Sequence, residues 1–194
     1  FGISGTQHRP SVGRHDGRTI TKQGIEELNN ARVRDKIGFA ISRIEILAFR
    51  TTLDPDKRQG LLPINVSFFP REVFEKALEA MKPAFSAGIH VSELVACADE
   101  GSNLGEVAIP AGYMGFATVC SIVVNGILLK SGIPMDSKFG GIVQVKDGRP
   151  LRFVELIHYS GSSLDPSEVF IQGRMTSVCQ AATQGEGKVL ANFR

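Results

Sequence analysis

The chain has 194 residues, 42% hydrophobic and 22% charged, with a net charge of +2. That gives room for one generous domain, or one domain and part of another, and excludes a disordered chain. No apolar run approaches the ~18 residues of a membrane span, and Cys97, Cys120 and Cys179 are too few and too scattered for a disulfide framework or a structural zinc site.

Buried thiols in a reducing cytoplasm are the plain reading of those cysteines. Charge is unevenly spread. Residues 1–34 hold six Lys/Arg against three Asp/Glu, and the remainder 16 against 17. Attraction for nucleic acid is therefore expected in the N-terminal fifth and not from the rest.

The chain opens on Phe1 rather than Met, nothing near it resembles a signal peptide, and sequence is expected to be missing from its front. Asp16-Gly17 is a two-residue hairpin signal flanked by Arg14, His15 and Arg18. A basic tip running into a helix over Gly24–Asn30, capped by Thr19 or Thr21, is the arrangement of a winged-helix wing lying along a phosphate backbone. Residues 1–31 thus read as the remnant of an N-terminal winged-helix DNA-binding domain, and residues 32–194 as a second domain.

In that second domain, Ile37, Ala40, Ile41, Ile44, Leu47 and Ala48 make an i, i+3, i+4, i+7 stripe that predicts a helix over 35–50. A polar loop follows at 54–60. Leu61–Phe69 alternates as a strand, with Pro63 marking an edge or a first residue. Pro70 opens a helix with Val73, Phe74, Ala77, Leu78, Met81, Ala84 and Phe85 on one face. Strands are expected at 91–98, 107–109 and 113–118.

The stretch 119–130 reads two ways. Asn125-Gly126 suits a hairpin turn, whereas Lys130-Ser131-Gly132-Ile133-Pro134 has the order of a helix exit, and the helix is the better match. Residues 142–146 and 151–159 alternate across Asp147-Gly148-Arg149 as a hairpin. Asp165, Pro166 and Glu168 mark a helix start, with Leu164 and Val169 as a hydrophobic staple and Gly173 as the stop. A helix at 175–182 and a strand at 189–193 close the chain. Strand–helix–strand twice over 61–146 predicts an α+β fold: a two-layer, plait-like antiparallel sheet with helices on one face, extended by the C-terminal elements.

Three places carry candidate chemistry. Cys120 lies where a helix N-terminus would lower a thiol pKa, and His158 would be its base; the alternative is a small buried cysteine. No third orienting group suggests itself, so no catalytic residue is assigned and the chain is not read as an enzyme. The same free amides, with the hydroxyls of Thr118 and Ser121, would cradle a carboxylate or phosphate, unless Thr118 is only a cap. Finally, His158-Tyr159-Ser160-Gly161-Ser162-Ser163-Leu164-Asp165 is the densest polar cluster, where His158 and Ser160 would meet an anion whose charge Arg152 and Arg174 balance. The four histidines are too scattered for a metal site.

Four runs are distinctive as a set: Gly38-Phe39-Ala40-Ile41-Ser42-Arg43-Ile44-Glu45, Phe116-Ala117-Thr118-Val119-Cys120-Ser121, Tyr159-Ser160-Gly161-Ser162-Ser163-Leu164-Asp165-Pro166 and Gly185-Glu186-Gly187-Lys188. From about Arg32 to Arg194 the chain resembles the regulatory domain of NrpR, the archaeal repressor of nitrogen-assimilation genes. The resemblance implies a homodimeric transcriptional repressor that binds DNA through a winged helix and releases it when 2-oxoglutarate occupies the regulatory domain. It implies no other cofactor. The recognition helix is not among these residues, and a related subunit of the family can act without touching DNA, so direct operator contact by this stretch is not expected. The rival readings are a thiol-dependent enzyme using Cys120 and a ligand-free oligomerisation module.

Overall fold

In the computed structural model, which describes Thr21, Lys22 and residues 38–194, the predicted stripe at 35–50 emerges as helix α1 (Phe39–Arg50). Gly38 precedes it at φ 80°, a conformation that favours glycine. Ala40 and Ala48 are buried, and Ile41, Ile44 and Leu47 are half-buried beside them. Arg14, His15, Arg18, the Asp16-Gly17 turn and the 24–30 helix lie outside the described residues. The compact unit considered below runs from Lys36 to Arg194.

Strand β1 (Ile64–Pro70) begins directly after Pro63, as a proline-limited strand should. Pro70 does not open the helix itself: a 3₁₀ turn, Arg71–Val73, intervenes before α2 (Phe74–Ser86). Strand β2 (Val95–Ala98), the short hairpin β3 (Asn103–Leu104) and β4 (Val107–Ala108), and strand β5 (Tyr113–Val119) complete the first half. β5 is central, antiparallel to β1 on one side and β2 on the other. Phe74 of α2 packs its ring against Phe69 and Phe116 on one face of this sheet. On the other, Leu104 and Ile109 bury Ala117, and a Cβ on Gly115 would lie 2.3 Å from Ile109 Cδ1.

The ambiguous stretch is a helix, α3 (Ile122–Lys130). Its exit is the expected one: Gly132, at φ 80°, donates its N–H to Leu129 O, and Ile133 donates to Leu128 O. Gly126, which would have been the hairpin glycine, instead lets α1 and α3 approach. A Cβ there would sit 2.3 Å from Thr51 Cβ, and Thr51 is 1% exposed. Gly126→Ala should gain about 1 kcal/mol of helix propensity but lose roughly 1–3 kcal/mol by overpacking against Thr51. Because two Thr51 atoms besides its Cβ also lie within 2.6 Å of the added Cβ, we expect the clash to win, lowering the urea midpoint at unchanged m-value.

The second half is built on β6 (Phe139–Lys146) and β7 (Arg149–His158), joined through Asp147 and Gly148 at φ 53° and 70°. Both central residues have positive φ, the turn whose twist matches that of the strands. Helices α4 (Pro166–Gln172) and α5 (Val178–Gln184) and strand β8 (Gly187–Phe193) follow. Asp165 caps α4, accepting from Ser167 N at 2.8 Å, with Pro166 in the first turn.

The α+β class and the antiparallel pairing hold, but the strands form two three-stranded sheets, β1-β5-β2 and β7-β6-β8, where a single extended sheet was expected. The cause is edge occupancy. β5 already has a partner on each side, and β6 is claimed by β7 through the tight turn and by β8 on its other edge. Nor do the helices share one face of the second sheet. A Cβ on Gly140 would strike Pro166 of α4, and one on Gly187 would strike Ala181 of α5. Those two positions alternate to opposite faces, and the chain crosses between them at the β8 edge, where Ser177 and Lys188 exchange hydrogen bonds.

Candidate functional site

The two sheets meet where β5 runs into α3. Cys120 leaves β5 with its N–H bound to Pro63 O, and Ser121 starts the helix in αR geometry without capping it by its side chain. The first-turn amides are already occupied: Ile122 N–H points at the Cys120 thiol, Val123 N–H at Cys120 O and Val124 N–H at Ser121 O. The free-amide cradle expected there is therefore filled by the chain itself.

The hydroxyl of Ser121 is used differently. It accepts from Asn192 Nδ2 at 3.0 Å and from Arg194 Nη2 at 2.6 Å, both at the end of β8. Asn192 Oδ1 in turn accepts from Tyr159 Oη at 2.6 Å. Gly140 makes this possible: its missing Cβ leaves space for Tyr159 Oη, 3.1 Å from the position a Cβ would take. Tyr159 is 4% exposed, and burial pushes its phenol up to about 12.

Arg194 is the cation of this corner. It is half-buried, its Nε has no hydrogen-bond partner, and among the described residues no carboxylate pairs with it. Burial lowers its pKa, because the charge is taken partly out of water. A guanidinium can grip a carboxylate through Nε and one Nη with two parallel bonds, and here Nη2 already donates to Ser121. Arg43 on α1 adds a second positive field at Cys120, while Asp165 adds a negative one.

Of the seven residues expected to meet an anion, Cys120 and Ser121 stand in this corner. Thr118 lies just before them, on the Asn65–Thr118–Val95 rung. His158 does not reach it. It shares a rung with Phe139 and Phe193, so strand alternation directs it to the face opposite Gly140 and Asn192. Its ring stands edge-on to Phe139 at 4.8 Å, and its Nδ1 is 2.6 Å from Ser160 Oγ, which keeps Ser160 with it. Arg152 bonds Gln144 on a rung four residues along β6 from Gly140, about 13 Å away. Arg174 follows the end of α4 remote from its cap.

The thiol–imidazole pair is likewise not assembled. Burial pushes the Cys120 thiol up, outweighing the nearby amide and the two arginines, so it is a protonated thiol at neutral pH. Among the described residues, no group of three His, Cys, Asp or Glu could hold a metal, and no helix is long and apolar enough to cross a membrane.

The raised pKa values have a thermodynamic consequence. A group with a higher pKa in the folded state contributes stability that is whole below its unfolded pKa and is lost as pH rises through the folded one. For Tyr159 the window runs from about 10 to about 12 and is worth roughly 2–3 kcal/mol. Denaturation at pH 8, 10 and 11.5 should show this loss, and Tyr159→Phe should flatten it.

Residues 37–194 match the family of NrpR regulatory domains NRD1 and 2. The chain belongs to the NrpR family. It is 44% identical over 178 residues to the global nitrogen regulator NrpRI of Methanosarcina mazei, an alignment covering 92% of this chain and 54% of that protein. It is 30% identical over 192 residues to the global nitrogen regulator NrpR of Methanocaldococcus jannaschii, covering 99% and 32%, and 32% identical over 180 residues to that of Methanococcus maripaludis, covering 93% and 31%. The chain thus spans about half or a third of the length of these relatives. A crystal structure of a nitrogen repressor-like protein from Methanococcus jannaschii superposes with a TM-score of 0.63 at 26% identity, over 79% of this chain and 60% of that one. The Ser121–Asn192–Arg194 corner lies wholly within the NrpR-matching residues.

Asn192 and Arg194 were missed from sequence because they belong to no motif. The available signal was period two: Asn192 falls on the face opposite Phe193 at a strand end, and Arg194 follows directly after it.

Proposed function

We propose that residues 32–194 are the effector-sensing and dimerising domain of a cytoplasmic transcriptional repressor of nitrogen-assimilation genes, that 2-oxoglutarate is the effector, and that the DNA contact belongs to a winged-helix region at or before residues 1–31. The observation that carries the effector is Arg194: a half-buried guanidinium with an unpartnered Nε and no carboxylate, beside a serine hydroxyl. A dicarboxylate supplies the negative charge that this desolvated cation lacks. The reading is of a binding module and not an enzyme, since Cys120 is held as a neutral thiol and His158 faces the other side of the sheet.

Dimerisation is supported by the apolar face that the second sheet exposes. Phe193 and Leu156 are 53% and 51% exposed on the same face as Phe139 and Ala191. A ligand shifts a dimeric repressor only by its differential affinity for two arrangements, typically about 1–3 kcal/mol of coupling. A corner between two separate sheets suits that role, because Ser121 follows the central strand of one and Arg194 follows an edge strand of the other. Isothermal titration of the chain with 2-oxoglutarate, accompanied by sedimentation with and without it, tests the proposal. Absence of binding at millimolar ligand overturns it.

A further inference from the structure

The two three-stranded sheets leave β1, β2, β7 and β8 as edge strands, and β1 has the least to keep a further strand away. β2 is only four residues long. β7 carries Arg149, Arg152 and Glu155 and breaks register with β6 twice. β8 exchanges hydrogen bonds with Ser177 at Lys188. β1, by contrast, runs for seven residues in unbroken register with β5, and no charged residue occurs from Leu61 to Pro70. An uncharged, unbulged edge of this length is a template for pairing.

The hydrogen-bond pattern fixes which groups that edge offers. Cys120 donates its N–H to Pro63 O and Arg71 donates to Gly112 O, both in the register of the β1–β5 pairs. In an antiparallel ladder such bonded pairs recur at every second residue. Asn65, Ser67 and Phe69 therefore turn their backbone groups to β5, and Ile64, Val66 and Phe68 turn theirs outward, where no strand lies among the described residues. Pro70 has no N–H to offer, so the outward donors of the strand end at Phe68 and Val66 is their centre. Ile64 and Phe68 are 37% and 42% exposed on the face of half-buried Val66, and Asn65 and Ser67 are exposed on the other.

We propose that β1 pairs antiparallel with β1 of a second copy of this chain, about a two-fold axis at Val66. The stretch is self-complementary in that register. Val66 faces its own counterpart, Ile64 faces Phe68, and on the other side of the sheet Asn65 faces Ser67. Aromatic with β-branched pairs and hydrogen-bonding polar pairs are the cross-strand contacts that stabilise such ladders. The outward N–H and C=O groups from Ile64 to Phe68 all gain partners, and two sheets of three strands become one of six. A slip of one residue would set those groups against residues whose own are spent on β5. This seam is separate from the face of Phe193 and Leu156, so it goes beyond the dimerising reading and does not rest on it.

Sedimentation of the full chain and disulfide capture test the assignment. Phe68→Lys sets a charge opposite Ile64 on both sides of the axis and should weaken self-association by roughly tenfold, with the circular dichroism spectrum unchanged. Oxidising a mixture of Asn65→Cys and Ser67→Cys chains should join position 65 of one to position 67 of the other, because directly opposed, non-bonded residues have Cα atoms about 4.5 Å apart. Either variant oxidised alone lacks that partner and should not form the link. Phe193→Lys, on the second sheet, should leave the link in place. A chain that stays monomeric, self-association unaltered by Phe68→Lys, or disulfides formed only through the exposed Cys97 and Cys179 overturns the proposal and leaves the β1 edge to a strand of another protein. Association lost in Phe193→Lys but kept in Phe68→Lys would overturn it while sparing the dimerising reading.

Discussion

Arg194→Gln should leave the chain folded and weaken 2-oxoglutarate binding by about two orders of magnitude. The side chain makes one hydrogen bond within the protein, to Ser121 Oγ, and no ion pair among the described residues, so its loss takes little from the fold. Its contribution to a bound carboxylate is larger. Hydrogen bonds to charged groups are worth about 1.5–3 kcal/mol each, and about 2.7 kcal/mol is a factor of a hundred in affinity. Arg194→Lys keeps the charge but not the planar fork, and should fall between the two. Arg152→Ala and Arg174→Ala are the informative controls. The serine-rich loop reading expects either to abolish the response, whereas the corner expects little from both, since Arg152 is held by Gln144 about 13 Å along the sheet. Titration calorimetry on the four variants decides. Full affinity in Arg194→Gln together with loss in the other two would return the effector to the 158–165 loop.

Ile142→Ala should cost 2–5 kcal/mol of stability, a large part of the roughly 5–15 kcal/mol that such a domain has. Ile142 is 0% exposed, on the central strand of β7-β6-β8. It lies on the face of Gly140, which Pro166 of α4 covers, and Phe170 of the same helix is 3% exposed. Neighbours anchored by a cap at Asp165 and by two flanking strands have little freedom to collapse into the space left behind. Ile142→Val, which removes one methylene, should cost 0.5–1.5 kcal/mol. Urea denaturation of both variants measures this, and a loss below about 1 kcal/mol for alanine would mean that the second sheet is not a core. Because Asn192 and Arg194 stand on or just beyond β8, which pairs with β6, weakened 2-oxoglutarate binding should accompany the larger loss.

The elements were legible where local chemistry alone determines them. The α1 stripe, the Asp165 cap with Pro166, the positive-φ pair at Asp147-Gly148 and the Lys130–Pro134 exit each depend on residues within a few positions of one another. Asn125-Gly126 shows the limit. As a dipeptide it is a hairpin signal, and the reason for a glycine within the helix is seen only in Thr51, seventy-five residues earlier, which packs where a Cβ would be.

The candidate site divides the same way. Cys120 and Ser121 were found because they sit at a strand-to-helix junction, a local feature. His158 was read as the base of Cys120, but it lies on the Phe139 rung, opposite the face of Gly140, and it is Tyr159, in the turn after β7, that reaches Asn192 beside Ser121.

By itself, then, the sequence settled the α+β class, most helix and strand positions and the NrpR kinship, because each is written in short-range pattern or in runs of matching residues. Tertiary structure alone decided that the strands split into two sheets, that the first-turn amides of α3 are occupied, and that Arg194 meets Ser121 across 73 positions. The physical reason is that a strand's edges are indifferent to which partner they take. Which edges are free, and which distant side chains then share a corner, is settled by the packing of the whole domain.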